Sequence, residues 1–193
     1  MLRVATVSDA AQIAEIYRPY VERTAISFEE EAPNAEGMAA KIEKVGSTFP
    51  FLVFEDEGAG DGRILGYAYA TRYRERAAYR WSLEDSVYVR EDARGRGIGR
   101  SLLEALLALL GELGYMKVYA VITPPNPASV ALHGALGFVP LCRFADTAFK
   151  LGSWQAVDWM ELTLRDIPLR PEEPLSFPDF ARERPDRLGE ILG

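Results

Sequence analysis

Apolar side chains recur every three or four residues in four segments of the chain, and this spacing predicts four amphipathic helices. Ser8 or Asp9 is expected to cap the first helix, and Asn34 is expected to cap the second. The second, third and fourth helices are predicted over about 34–45, 97–113 and 128–136.

Strands are predicted where β-branched and aromatic residues form short runs between these helices. The predicted strands cover 2–5, 51–55, 64–72, 81–89, 116–122, 138–149 and 154–164, with a turn over 58–62. The helices lie among these strands without strict strand–helix–strand alternation. The sequence therefore predicts an α/β fold in which helices flank a mixed central sheet.

The chain changes character near its C-terminal end. Five prolines and many charged residues follow Ile167, and long apolar runs are few. We therefore expect one domain over 1–165 and a proline-rich C-terminal tail over 166–193, which is peripheral or clamps against a neighbour. At 193 residues the chain is long enough to bury a substantial core.

Composition narrows the expected partners and compartment. The net charge of −7 argues against general nucleic-acid binding, which favours basic surfaces. Cys142 is the single cysteine, so no intramolecular disulfide can form and a reducing compartment is expected. The sequence lacks both the roughly 18 apolar residues of a membrane span and the form of a signal peptide. We therefore expect a cytoplasmic protein that binds neither nucleic acid nor membrane.

The most informative motif joins the predicted strand 81–89 to the third helix. The loop A-R-G-R-G-I-G-R over 93–100 carries three glycines at alternate positions, interleaved with arginines. Glycines let the backbone turn and expose its N–H groups, and a helix N-terminus carries unpaired donors and partial positive charge. The loop is therefore a candidate site for a phosphate or pyrophosphate group.

Two common phosphate-binding motifs do not fit this loop. The dinucleotide fingerprint requires G-x-G-x-x-G and the nucleotide-triphosphate loop requires G-x-x-x-x-G-K-S/T, whereas the spacing here is G-x-G-x-G without the lysine. A glycine-rich turn with solvated arginines stays open as an alternative. The remaining pattern, R-x-x-G-x-G over 94–99, resembles the pyrophosphate loop of the GCN5-related N-acetyltransferases, which bind acetyl-coenzyme A (acetyl-CoA).

Four further strings narrow the resemblance to one branch of that superfamily. They are T-A-I-S-F-E-E (24–30), A-Y-R-W-S-L-E-D-S-V-Y-V (78–89), N-P-A-S-V-A-L-H-G-A-L-G-F (126–138) and F-K-L-G-S-W-Q-A-V-D-W (149–159). In this order they are similar to the phosphinothricin acetyltransferase and L-amino acid N-acyltransferase branch, over about residues 1–165. The resemblance implies a mostly antiparallel sheet, acetyl-CoA as cosubstrate, a small amino-acid-like acceptor and a homodimer.

Acyl transfer to an amine needs a base for the amine proton, and Glu84 is the best candidate. Its strand also contains Trp81, Leu83, Val87 and Tyr88, and such apolar surroundings raise the pKa of a carboxylate towards the working pH. The resemblance places it on the branch's catalytic glutamate. The alternatives are a solvent-facing residue or a partner for Arg80. Asp85 is expected to point to the opposite face of the strand.

His133, the only histidine, is the second catalytic candidate. The resemblance places it where the wider superfamily has a tyrosine that protonates the coenzyme thiolate, and a histidine titrates near neutrality. The alternative is a helix histidine that hydrogen-bonds a neighbour. Cys142 is expected to be buried and inert. One histidine and scattered carboxylates predict no metal site.

The remaining candidates are binding residues. Coenzyme contacts are expected from the strand, the loop and the start of the fourth helix, at Val87, Tyr88, Val89, Arg94, Gly95, Arg96, Gly97, Ile98, Gly99, Arg100, Asn126 and Ser129. The last two also suit helix caps. Acceptor contacts are expected at Phe28, Tyr73, Arg74, Arg76 and Tyr79, because arginine pairs with carboxylate or phosphinate. An ordinary basic surface loop is the alternative for the two arginines.

The sequence therefore favours an N-acetyltransferase that moves acetyl from acetyl-CoA to the α-amine of a small amino acid or analogue. Phosphinothricin, methionine sulfone and methionine sulfoximine are acceptors of this type. Both substrates are expected to bind together, and the amine is expected to attack directly. Two alternatives stay open: acetylation of another amine, such as a protein N-terminus or a polyamine, and a non-catalytic coenzyme A-binding module.

Overall fold

Seven strands form a single sheet at the centre of the protein, in a computed structural model that describes residues 1–58, 60 and 62–193. The strands are β1 (Leu2–Val4), β2 (Phe51–Glu55), β3 (Ile64–Arg72), β4 (Ser82–Val89), β5 (Lys117–Ile122), β6 (Val139–Lys150) and β7 (Ser153–Thr163). Their order across the sheet is β1-β2-β3-β4-β5-β7-β6. The predicted α/β class is confirmed. The predicted turn over 58–62 includes two residues that lie outside the described part of the chain.

Among the described residues, β4 and β5 form the one parallel pair of this mostly antiparallel sheet. Their ladder contains three residue pairs and ends where Glu84 lies opposite Tyr119. Both strands continue beyond that point, to Val89 and Ile122, and no further pairing between them is found in the described residues. The strands therefore diverge, and the backbone groups along their facing edges are open to the space between them.

Helices cover both faces of the sheet. One face carries α1 (Ala10–Arg23) and α2 (Ala35–Gly46), and the other carries α3 (Ile98–Glu112) and α4 (Pro127–Ala135). Tyr17 and Tyr20 of α1 pack edge-on against Tyr88 of β4, with ring centroids 4.9 and 5.0 Å apart. On the opposite face, a Cβ at Gly66 would lie 3.2 Å from Ile98 and 2.9 Å from a backbone oxygen. Glycine at this position therefore allows α3 to pack closely on β3.

The starts of the first two helices differ in how they are capped. The Asn34 side chain accepts a hydrogen bond from the Gly37 N–H at 2.8 Å, as the sequence predicts. Asp9 precedes α1, but its carboxylate does not cap that helix. It accepts instead from the Thr6 N–H at 2.8 Å, in a capping box of the short turn before α1, and pairs with Arg3 at 2.7 Å.

The C-terminal segment folds back onto the domain. It forms α5 (Phe177–Glu183) and α6 (Pro185–Leu192), neither of which the sequence pattern predicts. Phe177 and Phe180 are buried, and Phe180 is 0% exposed. Upstream, the Trp81 indole N–H donates to the Glu172 carbonyl at 2.7 Å, and Arg80 pairs with Glu173. The segment therefore contributes to the core and contacts the chain just before β4.

One expectation about burial is wrong. Cys142 is exposed, because β6 is an edge strand whose side chains are mostly left uncovered.

Among the described residues, no helix combines the length and the apolar character that crossing a membrane requires.

Candidate active site

A cavity of about 460 Å³ occupies the space between the diverging ends of β4 and β5. It continues to the start of α3 and to α4. Eleven of the twelve expected coenzyme residues line it, namely Val87, Tyr88, Val89, Arg94, Gly95, Gly97, Ile98, Gly99, Arg100, Asn126 and Ser129, whereas Arg96 does not. His133 also lines it, and so do Asp85, Tyr20, Ile26 and Thr123, which the sequence did not single out as binding residues.

The glycine loop forms one end of this cavity. Gly95 and Gly97 have φ angles of +76° and +80°, a region that favours glycine, and α3 begins directly after them at Ile98. The first N–H groups of a helix have no partner within the helix and carry partial positive charge. The Arg94 guanidinium lies 5.1 Å from the centre of the Tyr20 ring. The loop can therefore bind an anionic group.

Glu84 lies where the β4–β5 ladder ends, outside the residues that line the cavity. Burial raises the pKa of this half-buried carboxylate; the charge of Arg74 opposes that rise and the charge of Asp85 adds to it. Arg80 pairs with Glu173 of the C-terminal segment. The position of Glu84 at the junction is thus set by the ladder and not by that arginine.

An aromatic cluster forms around Tyr73 and includes Tyr119, the residue opposite Glu84 in the ladder. The Tyr73 ring lies 4.6 Å from Tyr119, 5.6 Å from Tyr79 and 5.8 Å from Trp159. The Arg74 guanidinium lies 4.6 Å from the centre of the Tyr73 ring. The structure therefore brings Tyr73, Arg74 and Tyr79 together. The sequence did not identify Trp159, because it reaches this cluster from β7, far along the chain.

The other two expected acceptor residues, Arg76 and Phe28, are exposed, as Arg74 and Tyr79 are. Arg76 lies in the loop before β4, and Phe28 lies in the loop between α1 and α2. Neither lines the cavity between β4 and β5. Their relation to a bound acceptor stays a prediction.

His133 and Asp85 form a buried pair on the α4 side of the sheet. The imidazole Nε2 lies 3.0 Å from Asp85 Oδ2, and the two side chains are 4% and 2% exposed. The other ring nitrogen, Nδ1, donates to the Ser129 carbonyl at 2.8 Å. Burial works against the charged imidazolium, but the hydrogen bond and charge of Asp85 and the Ser129 carbonyl raise the pKa of His133 overall. Asp85 is thus on the face that the strand alternation predicts.

Asn126 and Ser129 begin α4 and line the cavity. The Asn126 side-chain oxygen accepts from the Ser129 N–H at 3.2 Å, so Asn126 is a helix cap. The Ser129 hydroxyl oxygen lies 3.3 Å from His133 Nδ1. In the described part of the chain, no group of three or more His, Cys, Asp or Glu side chains could hold a metal ion.

Residues 2–159 match the sequence family of the acetyltransferase (GNAT) domain. The chain is therefore a member of this family. The phosphinothricin N-acetyltransferase of Alcaligenes faecalis is 42% identical over 155 residues, which are 79% of this chain and 77% of that protein. An L-amino acid N-acyltransferase of Escherichia coli (strain K12) is 34% identical, over 84% of this chain and 93% of that protein.

Solved structures show the same branch. A GNAT superfamily phosphinothricin acetyltransferase from Sinorhizobium meliloti, in complex with acetyl-CoA, superposes with a TM-score of 0.84 at 38% identity. The match covers 93% of this chain and 96% of that one. The branch resemblance and the fold expected from the sequence are confirmed.

Proposed function

We propose that this protein is an acetyl-CoA-dependent N-acetyltransferase for the α-amine of a small amino acid or analogue, such as phosphinothricin, methionine sulfone or methionine sulfoximine. The observation that carries the proposal is the junction at Glu84. The cavity with its anion-binding loop opens where the β4–β5 ladder ends, and a carboxylate with a raised pKa lies at that end. Acyl transfer to an amine requires such a pairing of coenzyme site and base. The relatives named for phosphinothricin and L-amino acids support the acceptor class.

The residues around the cavity fit the phosphate-bearing part of acetyl-CoA. Apart from its chain neighbours, no described residue lies within 4 Å of where a Cβ would extend from Gly95 or Gly97, so a pyrophosphate can approach the loop backbone closely. Arg94 and Arg100 line the same cavity and add positive charge. When bound, acetyl-CoA supplies an activated acetyl thioester. Backbone N–H groups between Val87 and Val89 are the proposed donors for its carbonyl oxygen.

Glu84 is the proposed general base in a direct attack by the acceptor amine. Its raised pKa brings it closer to the range in which a base works well near neutral pH. The amine lone pair forms the C–N bond as the C–S bond breaks, and Glu84 takes the proton that the nitrogen loses. His133 is the proposed source of the proton that the leaving sulfur gains.

Arg74 is the proposed anchor for the acid group of the acceptor. Its guanidinium is held against the Tyr73 ring and its charge acts on Glu84, so an anion bound there would lie near the base. Arg76 and Tyr79 belong to the same loop, and Phe28 is the proposed aromatic wall. A basic loop of this kind disfavours polyamine acceptors, because both carry positive charge.

We also propose a homodimer, formed through the β6–β7 hairpin. Large apolar side chains are about half exposed or more along it, at Val139, Leu141, Phe144, Phe149, Leu151 and Trp154. Contiguous apolar exposure is typical of interaction surfaces. Light scattering is expected to show a dimer that the double variant Phe149→Ser, Trp154→Ser converts to a monomer. A monomeric parent protein would contradict this proposal.

Thiol release from acetyl-CoA tests the enzymatic proposal. The amines are phosphinothricin, methionine sulfone, methionine sulfoximine, the common amino acids, spermidine and a short peptide. Release confined to the amino-acid-like amines is the expected result. Release only with spermidine or the peptide would keep the coenzyme chemistry and reject the acceptor class. Tight coenzyme binding without release for any amine would favour a non-catalytic binding module.

A further inference from the structure

We propose that Asp85, His133 and Ser129 form a proton relay at the thioester end of the cavity, in which Asp85 is a positioning residue that acts through His133. The inference rests on the proposed function, because it assigns the route by which the leaving sulfur gains its proton. Asp85 lies next to the proposed base in the sequence but on the opposite face of β4. Its contact with His133 joins residues 48 positions apart.

The hydrogen-bond partners of His133 define its protonation. A carbonyl oxygen only accepts, so Nδ1, at 2.8 Å from the Ser129 carbonyl, must carry a proton. Nε2 faces Asp85 Oδ2 at 3.0 Å. A second proton on Nε2 gives a hydrogen-bonded imidazolium–carboxylate pair. A ring that lost the Nε2 proton would instead direct that lone pair at the carboxylate, which is unfavourable.

Burial makes this pairing important for both residues. The other carboxylate oxygen, Asp85 Oδ1, is buried and has no hydrogen-bond partner among the described residues. Around the imidazole, β4 contributes Asp85, α4 contributes Ser129, and the segment after α4 contributes the Phe138 ring at 5.0 Å. Within the described residues, Asp85 is the charged group that acts on His133. A buried carboxylate with so few partners needs a positive counter-charge.

Ser129 gives the Nδ1 proton a route into the cavity. Its hydroxyl oxygen lies 3.3 Å from Nδ1 and the residue lines the cavity. In the proposed step, Ser129 Oγ passes its hydroxyl proton to the leaving sulfur and receives the Nδ1 proton. The imidazole becomes neutral for a short time and keeps its Nε2–H bond to Asp85, and the Nδ1 lone pair then faces the Ser129 carbonyl, which favours rapid reprotonation of Nδ1. No net charge is created, and solvent returns the proton to Nδ1 after the product leaves.

His133 is the only histidine in the chain, so its ring C–H signals in a proton NMR titration need no assignment by mutagenesis. The titration midpoint of the parent protein is expected above the ordinary histidine value of about 6.5. In Asp85→Asn, which keeps the side-chain shape, the midpoint is expected to fall below that value. Asp158→Asn, which removes a surface partner of Arg143, is the matched control and should leave the midpoint unchanged.

Two NMR results would overturn the proposal. The first is a His133 ring that is already neutral at pH 7 in the parent protein, which would mean that no imidazolium–carboxylate pair is present. The second is a midpoint that Asp85→Asn does not move. Neither result depends on turnover, so the relay can fail while the proposed acetyl transfer holds, or the reverse.

Kinetics then separate a relay from a structural pair. Relative to the parent, Asp85→Asn is expected to lose turnover mainly between the two His133 midpoints, where the variant has lost the proton that the parent still holds, and to recover as the pH falls. In a His133→Gln background, the same substitution should cost less than twofold, because it acts through the histidine. Ser129→Ala is expected to lower kcat roughly 10-fold or more while the His133 midpoint stays in place. A pH-independent loss in Asp85→Asn would overturn the relay.

Discussion

Glu84 and Asp85 are adjacent in β4, yet their carboxylates lie on opposite faces of the sheet and meet different partners. Asp85 contacts His133 of α4 at 3.0 Å, whereas Glu84 shares its face with Tyr88 and lies in the field of Arg74. The proposed chemistry uses this separation, with proton uptake on one face and proton delivery on the other.

Replacing Glu84 by Gln is expected to lower turnover by roughly 10²–10⁴-fold, because the amine loses its base. The acidic limb of the rate profile should disappear as well. A base works when deprotonated, so activity falls as the pH drops through the Glu84 pKa, which burial raises. Steady-state kinetics against pH measures both effects.

A matched control is Glu161→Gln, which changes another partly buried strand glutamate, one that pairs with Lys117 at 2.9 Å. It should keep turnover close to the parent value. A folded Glu84→Gln protein with less than a tenfold loss would reject Glu84 as the base.

Arg74→Gln is expected to raise the KM of the acceptor and to move the acidic limb to higher pH. The positive charge of Arg74 opposes the rise in the Glu84 pKa, so its removal lets that pKa rise further. Arg72→Gln is the comparison, since Arg72 is exposed at the end of β3. Equal effects from the two substitutions would mean that Arg74 has no particular place in the acceptor site.

The glycine loop offers an internal comparison between two arginines. Arg94 lines the cavity and Arg96 does not. Arg94→Gln should weaken coenzyme A binding by roughly tenfold or more, as expected when a charged hydrogen bond to phosphate is lost. Arg96→Gln should change the Kd less than threefold. Calorimetric titration with coenzyme A measures both constants, and the reverse order would contradict the placement of the pyrophosphate.

The C-terminal segment is expected to contribute to stability. Phe180 is fully buried, so Phe180→Ala should lower the free energy of unfolding by about 3–5 kcal/mol. Leu169→Ala is the control, because Leu169 is fully exposed and should change stability by less than about 0.5 kcal/mol. Urea unfolding measures the difference. Equal midpoints for the two variants would show that the segment is detached from the core in solution.

Local signals in the sequence were sufficient for the strands and for the glycine loop, whereas most other cavity residues were expected from the family resemblance. Strand runs and helix periods need only neighbouring residues, and the predicted strand bounds agree with the structure to within one residue. The loop with Gly95 and Gly97 was recognisable because backbone positions with positive φ favour glycine and because an apolar helix pattern begins directly after the loop.

The contacts that complete the site were not readable in this way. The Asp85–His133 pair depends on how α4 packs beside the diverging end of β4, and no spacing rule reports a contact across 48 positions. The same holds for Phe180, whose two short helices lie in a proline-rich segment that resembles a solvated tail. Tertiary packing outweighs local composition there.

Mass spectrometry of a reaction that contains only the protein, acetyl-CoA and phosphinothricin tests the central claim most directly. We expect one N-acetylated product molecule for each free coenzyme A thiol released, with no acetyl group left on the protein and with Glu84→Gln nearly inactive. Thiol release without an acetylated amine would contradict it. The absence of release with phosphinothricin, and in parallel reactions with methionine sulfone and methionine sulfoximine, would contradict it as well.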